Sequence, residues 1–346
     1  MKRDPPDPVA ARLAFRMAFA ATMAFAIAEL CDWSFSFFAP MLAVQTLAAS
    51  PTAPAFRQGI AIPIVIFIAT WLALAVSAGL SGTPVVLLVI VCLVLFWAFY
   101  GQRRGAPGVI MLLVQIAFCC VPVISTISID LAEDFSDALF RGSIAAIVTV
   151  WTAHLLFPAP AHLPSPAAAP AKPSGPATGA ARGAFFDMLI LVPLLVAFIL
   201  GGSIDNIVIL IITLNLLREI EPARRSRVAL ALLLGNLIGG ALGVLAYQFV
   251  TLTNNSFLLF TLTVLAASLW FGGRFARRGP DAPVYAIAFA TFLLILGIGL
   301  TPLPMGSEEA FAARILKILL ATAYAIGALS LVAAGARRNA ASLSST

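Results

Sequence analysis

The residues of this chain that can do chemistry are few, and most lie within apolar runs, where a polar side chain is costly and so informative. Gln45 and Asn215 are amides near the ends of two short apolar segments, 35–50 and 204–217. An amide in lipid either bonds to a neighbouring helix or lines a wet cavity and holds a substrate. Asp187 stands among Phe185, Phe186, Met188 and Leu189. A carboxylate there can take up and release a proton in a transport cycle, or it can pair with Arg182, five residues earlier. Arg141, Arg314 and Lys317 suit the attraction of an organic anion; the alternatives are pairing with Asp137 and Glu309, or snorkelling. His154 can relay protons, although a lone interfacial histidine more often has no such role. Glu29 and Asp32 are weaker candidates, because they reach interfacial water.

The elements that must position these residues follow from composition. The chain has 346 residues, 61% hydrophobic and only 10% charged, with a mean hydropathy of +1.03. Soluble domains carry about 25% charged residues, so this supply cannot cover a water-facing surface. Twelve apolar segments are expected. In the first half they span 13–31, 35–50, 59–80, 84–100, 108–128 and 141–157. In the second they span 184–201, 204–217, 229–250, 256–272, 283–301 and 314–335. None alternates as a barrel strand does, and backbone groups in lipid must be satisfied within the segment, which predicts helices. The expected fold class is all-α: a polytopic membrane protein of about twelve transmembrane helices. The Pro- and Ala-rich stretch 158–182 reads as a disordered or polyproline-like cytoplasmic linker between membrane repeats at 1–157 and 183–338, with a short tail at 339–346.

Charge sets the expected topology. With the N-terminus in the cytoplasm, all but Arg141, Arg314 and Lys317 of the 21 basic residues fall on the inner side. The acidic residues Asp130, Glu133, Asp134 and Asp137, then Glu308 and Glu309, fall in outer loops. Both termini are then cytoplasmic, in a bacterial inner membrane. The net charge of +6 accordingly speaks for positive-inside loops and not for nucleic acid. The opening MKRDPPDPVAARLAFR is not expected to be a cleavable signal peptide.

Landmarks also repeat. Arg12 and Arg182, Gln45 and Asn215, and Arg57 and Arg227 are each 170 residues apart, and Arg141 and Arg314 are 173 apart. Two six-segment halves crossing in the same direction make a parallel 6+6 repeat. Short segments at matching positions, 35–50 and 204–217, point to a transport site between the halves.

Several chemistries are excluded by their missing motifs. There is no GxxxxGK[ST] loop, HExxH or GxSxG. The four cysteines, Cys31, Cys92, Cys119 and Cys120, form no CxxC pair. No enzyme activity, metal or cofactor is expected. The glycine run GNLIGGALG follows no strand and reads as close helix packing.

RLAFRMAFAATMAFAIAEL followed by FFAPMLAVQTLAASPTAPAFRQGIAIPI, with LNLLREIEPARRSRVALALLLGNLIGGALG in the second half, resembles the fusaric acid resistance and aromatic acid exporter superfamily. The shared pattern is an Arg-containing first helix, a Pro-to-Gln second helix, then Arg and a Gly-rich third. Long members carry sizeable cytoplasmic regions, whereas this chain resembles the compact branch. The resemblance implies proton-gradient-driven export of aromatic or other organic acids. It also implies a periplasmic adaptor of the membrane-fusion class and an outer-membrane channel. The alternative is a non-transporting scaffold subunit of an envelope assembly. Expected partners are therefore a small organic anion, membrane lipid and the adaptor, without nucleic acid; the oligomeric state, a homo-oligomer included, stays open.

Overall fold

The computed structural model describes residues 8–50, 52–158, 177–201, 225–253, 256–277, 279 and 281–300, with Leu210, Thr213, Leu214, Leu217 and Gly327. Among the described residues there are ten helices and no strand. They are α1 (Pro8–Leu30), α2 (Phe38–Ala49), α3 (Phe56–Gly79), α4 (Pro84–Arg103) and α5 (Gly108–Ser125). There follow α6 (Ile129–Leu156), α7 (Ala177–Gly201), α8 (Arg225–Leu252), α9 (Phe257–Ala276) and α10 (Ala282–Leu300). Eight are long and apolar enough to cross a membrane; α2 and α5 fall short of that length. Such a set fits a multi-pass membrane protein. Helix α4 shows why. It buries Leu87, Val91, Leu95 and Phe99 on one side and leaves Val85, Val89, Leu93 and Trp97 exposed on another. A helix apolar all round has one face for protein and one for lipid.

Three boundaries differ from expectation. Helix α6 begins at Ile129, not near 141, so Asp130, Glu133, Asp134 and Asp137 lie within it. Ser128 caps that start, its hydroxyl oxygen accepting from the Leu131 amide at 3.3 Å, and acids in a first turn favour the positive end of the helix dipole. Helix α7 begins at Ala177, inside the stretch expected to be a linker. Helix α4 runs on to Arg103, which therefore belongs to a helix and not to a loop. Expected segments 204–217 and 314–335 lie outside the described residues, apart from the five isolated positions above.

The chain divides into two compact units: Met1–Phe67 with Asp134–Ala168 and Leu234–Phe311, and Ile68–Glu133 with Ala169–Leu233 and Ala312–Thr346. In the first, α1 runs antiparallel to α9. Gly272 lies against Ala14 and Met17, and Phe25 meets the edge of Phe260 at 5.0 Å. Arg16 and Arg12 of α1 reach the end of α6, donating to the Phe157 carbonyl at 2.8 Å and the Pro158 carbonyl at 2.9 Å. Cations there satisfy carbonyls that the helix leaves open and oppose its negative end.

Also in the first unit, α8 and α10 run parallel along a glycine seam. A Cβ on Gly235 would stand 2.8 Å from Ile287, one on Gly239 would overlap the Ala288 carbonyl, and one on Gly243 would stand 3.0 Å from Ile295. The close approach lets the Thr291 hydroxyl donate to Asn236 Oδ1 at 2.7 Å, fully enclosed. The spacing that suggested close packing in GNLIGGALG serves that purpose here.

Trp151 of α6 anchors the chain before α3. Its indole N–H donates to the Pro54 carbonyl at 3.0 Å, and its ring stacks on Phe56 at 5.5 Å. Trp151→Phe keeps most of the stack and loses the hydrogen bond, so thermal unfolding in detergent should show a loss of about 1 kcal/mol. An unchanged midpoint would mean that the bond contributes nothing to stability.

Candidate functional site

The most unusual element of the first unit is α2. At 12 residues and about 1.5 Å per residue it reaches only some 18 Å, against a hydrocarbon core of about 30 Å. Phe38, Ala39, Pro40, Met41, Leu42, Ala43, Val44 and Leu47 are all buried, so protein covers its first two turns, while Ala48 and Ala49 at its end are exposed. Pro40 is tolerated because it stands in the first turn, where its missing N–H has no helical partner.

The connection into α2 holds two residues in the left-handed region. Asp32 (φ 50°) ends α1: the Asp32 amide donates to the Glu29 carbonyl and the Trp33 amide to Ala28. This is a Schellman closure with aspartate where glycine is usual. Phe35 (φ 55°) is costlier for a bulky residue. Its ring is buried against Phe135 at 5.5 Å, and Phe38 meets Phe135 at 5.2 Å. Close approach of α10 and α6 completes the seat: Gly297 lies against Phe37, and Gly142 lies against Phe38 and the Ala39 backbone. Near the other end of α2, the enclosed amide oxygen of Gln45 has no hydrogen-bond partner. Such an acceptor costs about 1–3 kcal/mol, which marks it as a place where a ligand or water belongs.

The second unit holds a charged centre. Asp187 on α7 is only 5% exposed. Its Oδ2 accepts from Arg103 Nε at 2.8 Å and from Arg103 Nη2 at 2.5 Å. The pairing with Arg182 considered from sequence does not occur. Five residues along a helix are about 140° apart, so the two side chains leave different faces, and Arg182 instead lies over the Phe186 ring at 5.7 Å. Gly183, one turn before Asp187, provides the room: a Cβ there would overlap the Arg103 guanidinium.

The same unit holds an amide contact that the sequence alone does not single out. Gln115 of α5 is fully buried, and its Nε2 donates to Gln102 Oε1 on α4 at 3.3 Å. Its own oxygen has no partner. Helices α4, α5 and α7 pack against one another; Gln102 of α4 meets Gln115 of α5, and Arg103 of α4 meets Asp187 of α7. The signal available in sequence was an amide inside the run VIMLLVQIAF.

Of the remaining expected residues, Arg141 pairs with Asp137 one turn earlier, both well exposed. An exposed i,i+4 pair of this kind is worth about 0.5 kcal/mol or less. His154 Nδ1 donates to the Val150 carbonyl of its own helix at 2.9 Å. Asn215, Arg314 and Lys317 lie outside the described residues. Among the described residues no group of three His, Cys, Asp or Glu side chains could hold a metal ion.

A family model described as "Protein of unknown function (DUF2955)" matches residues 13–153, from within α1 to within α6. No curated protein and no solved structure matches the chain.

Proposed function

We propose that this chain is a bacterial inner-membrane secondary transporter that exports aromatic or other hydrophobic organic acids in a proton-coupled cycle, working with a periplasmic adaptor. In this proposal twelve helices form two parallel six-helix halves, Gln45 and Asn215 face the substrate, and Asp187 carries the proton. Arg141, Arg314 and Lys317 draw the anion along the outer side. The observation that carries the reading is α2: half-length, buried over its first seven residues, entered through a strained turn and holding an unpartnered amide oxygen. Irregular or broken helices at membrane depth persist where they are buried in protein or line a cavity, and in secondary transporters they form the substrate site. The acidic group of Asp187 held among apolar spans supports the proton role.

The test is flux of a panel of radiolabelled aromatic acids in proteoliposomes under an imposed pH gradient. Movement of at least one acid that responds to the gradient, together with its loss in Gln45→Leu, is expected. If no acid moves faster than through protein-free vesicles, the transporter reading falls and the scaffold alternative takes its place. Unchanged flux and pH dependence in Asp187→Asn would remove Asp187 from the proton role.

A further inference from the structure

We infer that the exposed side of α9, with the start of α10, binds a phospholipid of net negative charge, whose phosphate is held by Arg274 and Arg277 beside Gly273. Such a site stands whether or not the chain transports an acid.

The pattern of exposure along α9 comes first. Leu262, Ala266, Leu269, Trp270 and Arg274 are exposed, at steps of three and four residues that keep them on one side of the helix. Arg277, the residue after α9, keeps helical backbone angles and continues that side, also exposed. Phe260, Val264, Ser268 and Phe271 are buried on the other side. The exposed side changes character along its length. From Leu262 to Trp270 it is apolar over about 12 Å, at 1.5 Å per residue, close to the depth of about 15 Å of one hydrocarbon leaflet. The two cations follow within the next two turns. An apolar strip that ends in cations matches a lipid lying along it, with its chain on the strip and its anionic headgroup at the end.

Arg274 is held ready for that headgroup. Its guanidinium lies over the Trp270 ring at 5.6 Å and the Tyr285 ring at 5.5 Å, and Nη1 donates to the Tyr285 hydroxyl at 3.2 Å. Tryptophan and tyrosine favour the level of the headgroups, so these rings fix the cation at that depth. Contact with a ring face leaves the positive charge uncancelled. Among the described residues neither Arg274 nor Arg277 has an ion-pair partner, and Asp281, the acid of the turn into α10, forms no ion pair either. A guanidinium edge offers two parallel N–H groups, which fit two oxygens of a phosphate.

Gly273 provides the room. A Cβ on it would meet nothing within 4 Å, whereas one on the adjacent Gly272 would touch Ala14 and Met17 of α1. An open hollow therefore lies next to Arg274 and one turn before Arg277, on the exposed side, where a phosphate can come close to the helix. A free phosphate shares the headgroup chemistry but gains nothing from the apolar strip, so the lipid is the occupant that uses the whole surface.

The test places the full-length protein in phosphatidylcholine vesicles that contain a minor, subsaturating fraction of phosphatidylglycerol carrying a diazirine in its acyl chain. After illumination, the labelled peptides are mapped by mass spectrometry. Label is expected on α9. A cation near an anionic lipid contributes about fivefold in affinity, so Arg274→Gln with Arg277→Gln should lower that label by at least about tenfold. Gly273→Leu fills the hollow without meeting the rest of the protein and should lower it several-fold, with elution on size-exclusion chromatography unchanged. Phosphatidylcholine bearing the same diazirine should label α9 weakly, and equally in wild type and the arginine double variant. Excess glycerol 3-phosphate should leave the phosphatidylglycerol label in place. The proposal is overturned if α9 of wild type stays unlabelled, as a face covered by a second copy would. It is equally overturned if the double variant or Gly273→Leu labels like wild type, or if phosphatidylcholine labels α9 as strongly as phosphatidylglycerol. Loss of label to glycerol 3-phosphate would make this a site for a free phosphate and overturn the lipid assignment.

Discussion

Arg103→Leu alone is expected to destabilise the protein by about 3–5 kcal/mol, because it removes the cation whose Nε and Nη2 both donate to the buried Asp187 carboxylate. The double substitution Arg103→Leu with Asp187→Leu should restore most of that loss. The asymmetry follows from desolvation. Removing one charge takes from the other the ion pair that offset its burial, whereas removing both replaces a pair that was costly to bury with apolar contact. Thermal unfolding of the four proteins in detergent, read by tryptophan fluorescence, gives the coupling directly as a double-mutant cycle. Additive losses would mean that the two groups do not depend on each other in the folded protein.

The second large effect concerns the glycine seam. Gly239→Leu places a side chain where the Ala288 carbonyl stands, while a Cβ on the adjacent Gly240 meets nothing within 4 Å. Overpacking in a well-packed core costs about 1–3 kcal/mol and more where backbone must move. Here the obstacle is backbone, and separating α8 from α10 also breaks the buried bond between Asn236 and Thr291. Gly239→Leu should therefore abolish the monodisperse peak on size-exclusion chromatography, and Gly240→Leu should retain it. If both elute like wild type, α8 and α10 do not pack along this seam.

What could be read from the sequence was whatever depends on neighbours along the chain. Long apolar runs marked the spans, because crossing lipid is a requirement on consecutive residues. The seam was legible because Gly235, Gly239 and Gly243 share one helix face. The shortness of α2 was also visible, although the burial of its first seven residues was not. Asp187 stood out as a carboxylate in an apolar run, but its partner lies 84 residues away, and no local pattern links the two. Arg103 was hidden differently: as one of a run of basic residues it resembled an ordinary inner loop, yet α4 continues through it. The acids near 130–137 were taken for a loop because charge suggests exposure, whereas a capped helix start favours carboxylates. Gln115 was overlooked because one amide among many apolar residues carries little weight until its surroundings are seen.

The burial of the first turns of α2 bears on how the chain is made. A segment of this length cannot rest across the bilayer unaided, and one wall of its seat, Gly297 against Phe37, belongs to α10, which the ribosome delivers much later. Until then its polar ends and Gln45 have no finished shelter, so the early segments must wait in a provisional arrangement. Biogenesis of the first unit is therefore closed from its far end, and errors in the late helices would surface as faults in the second one.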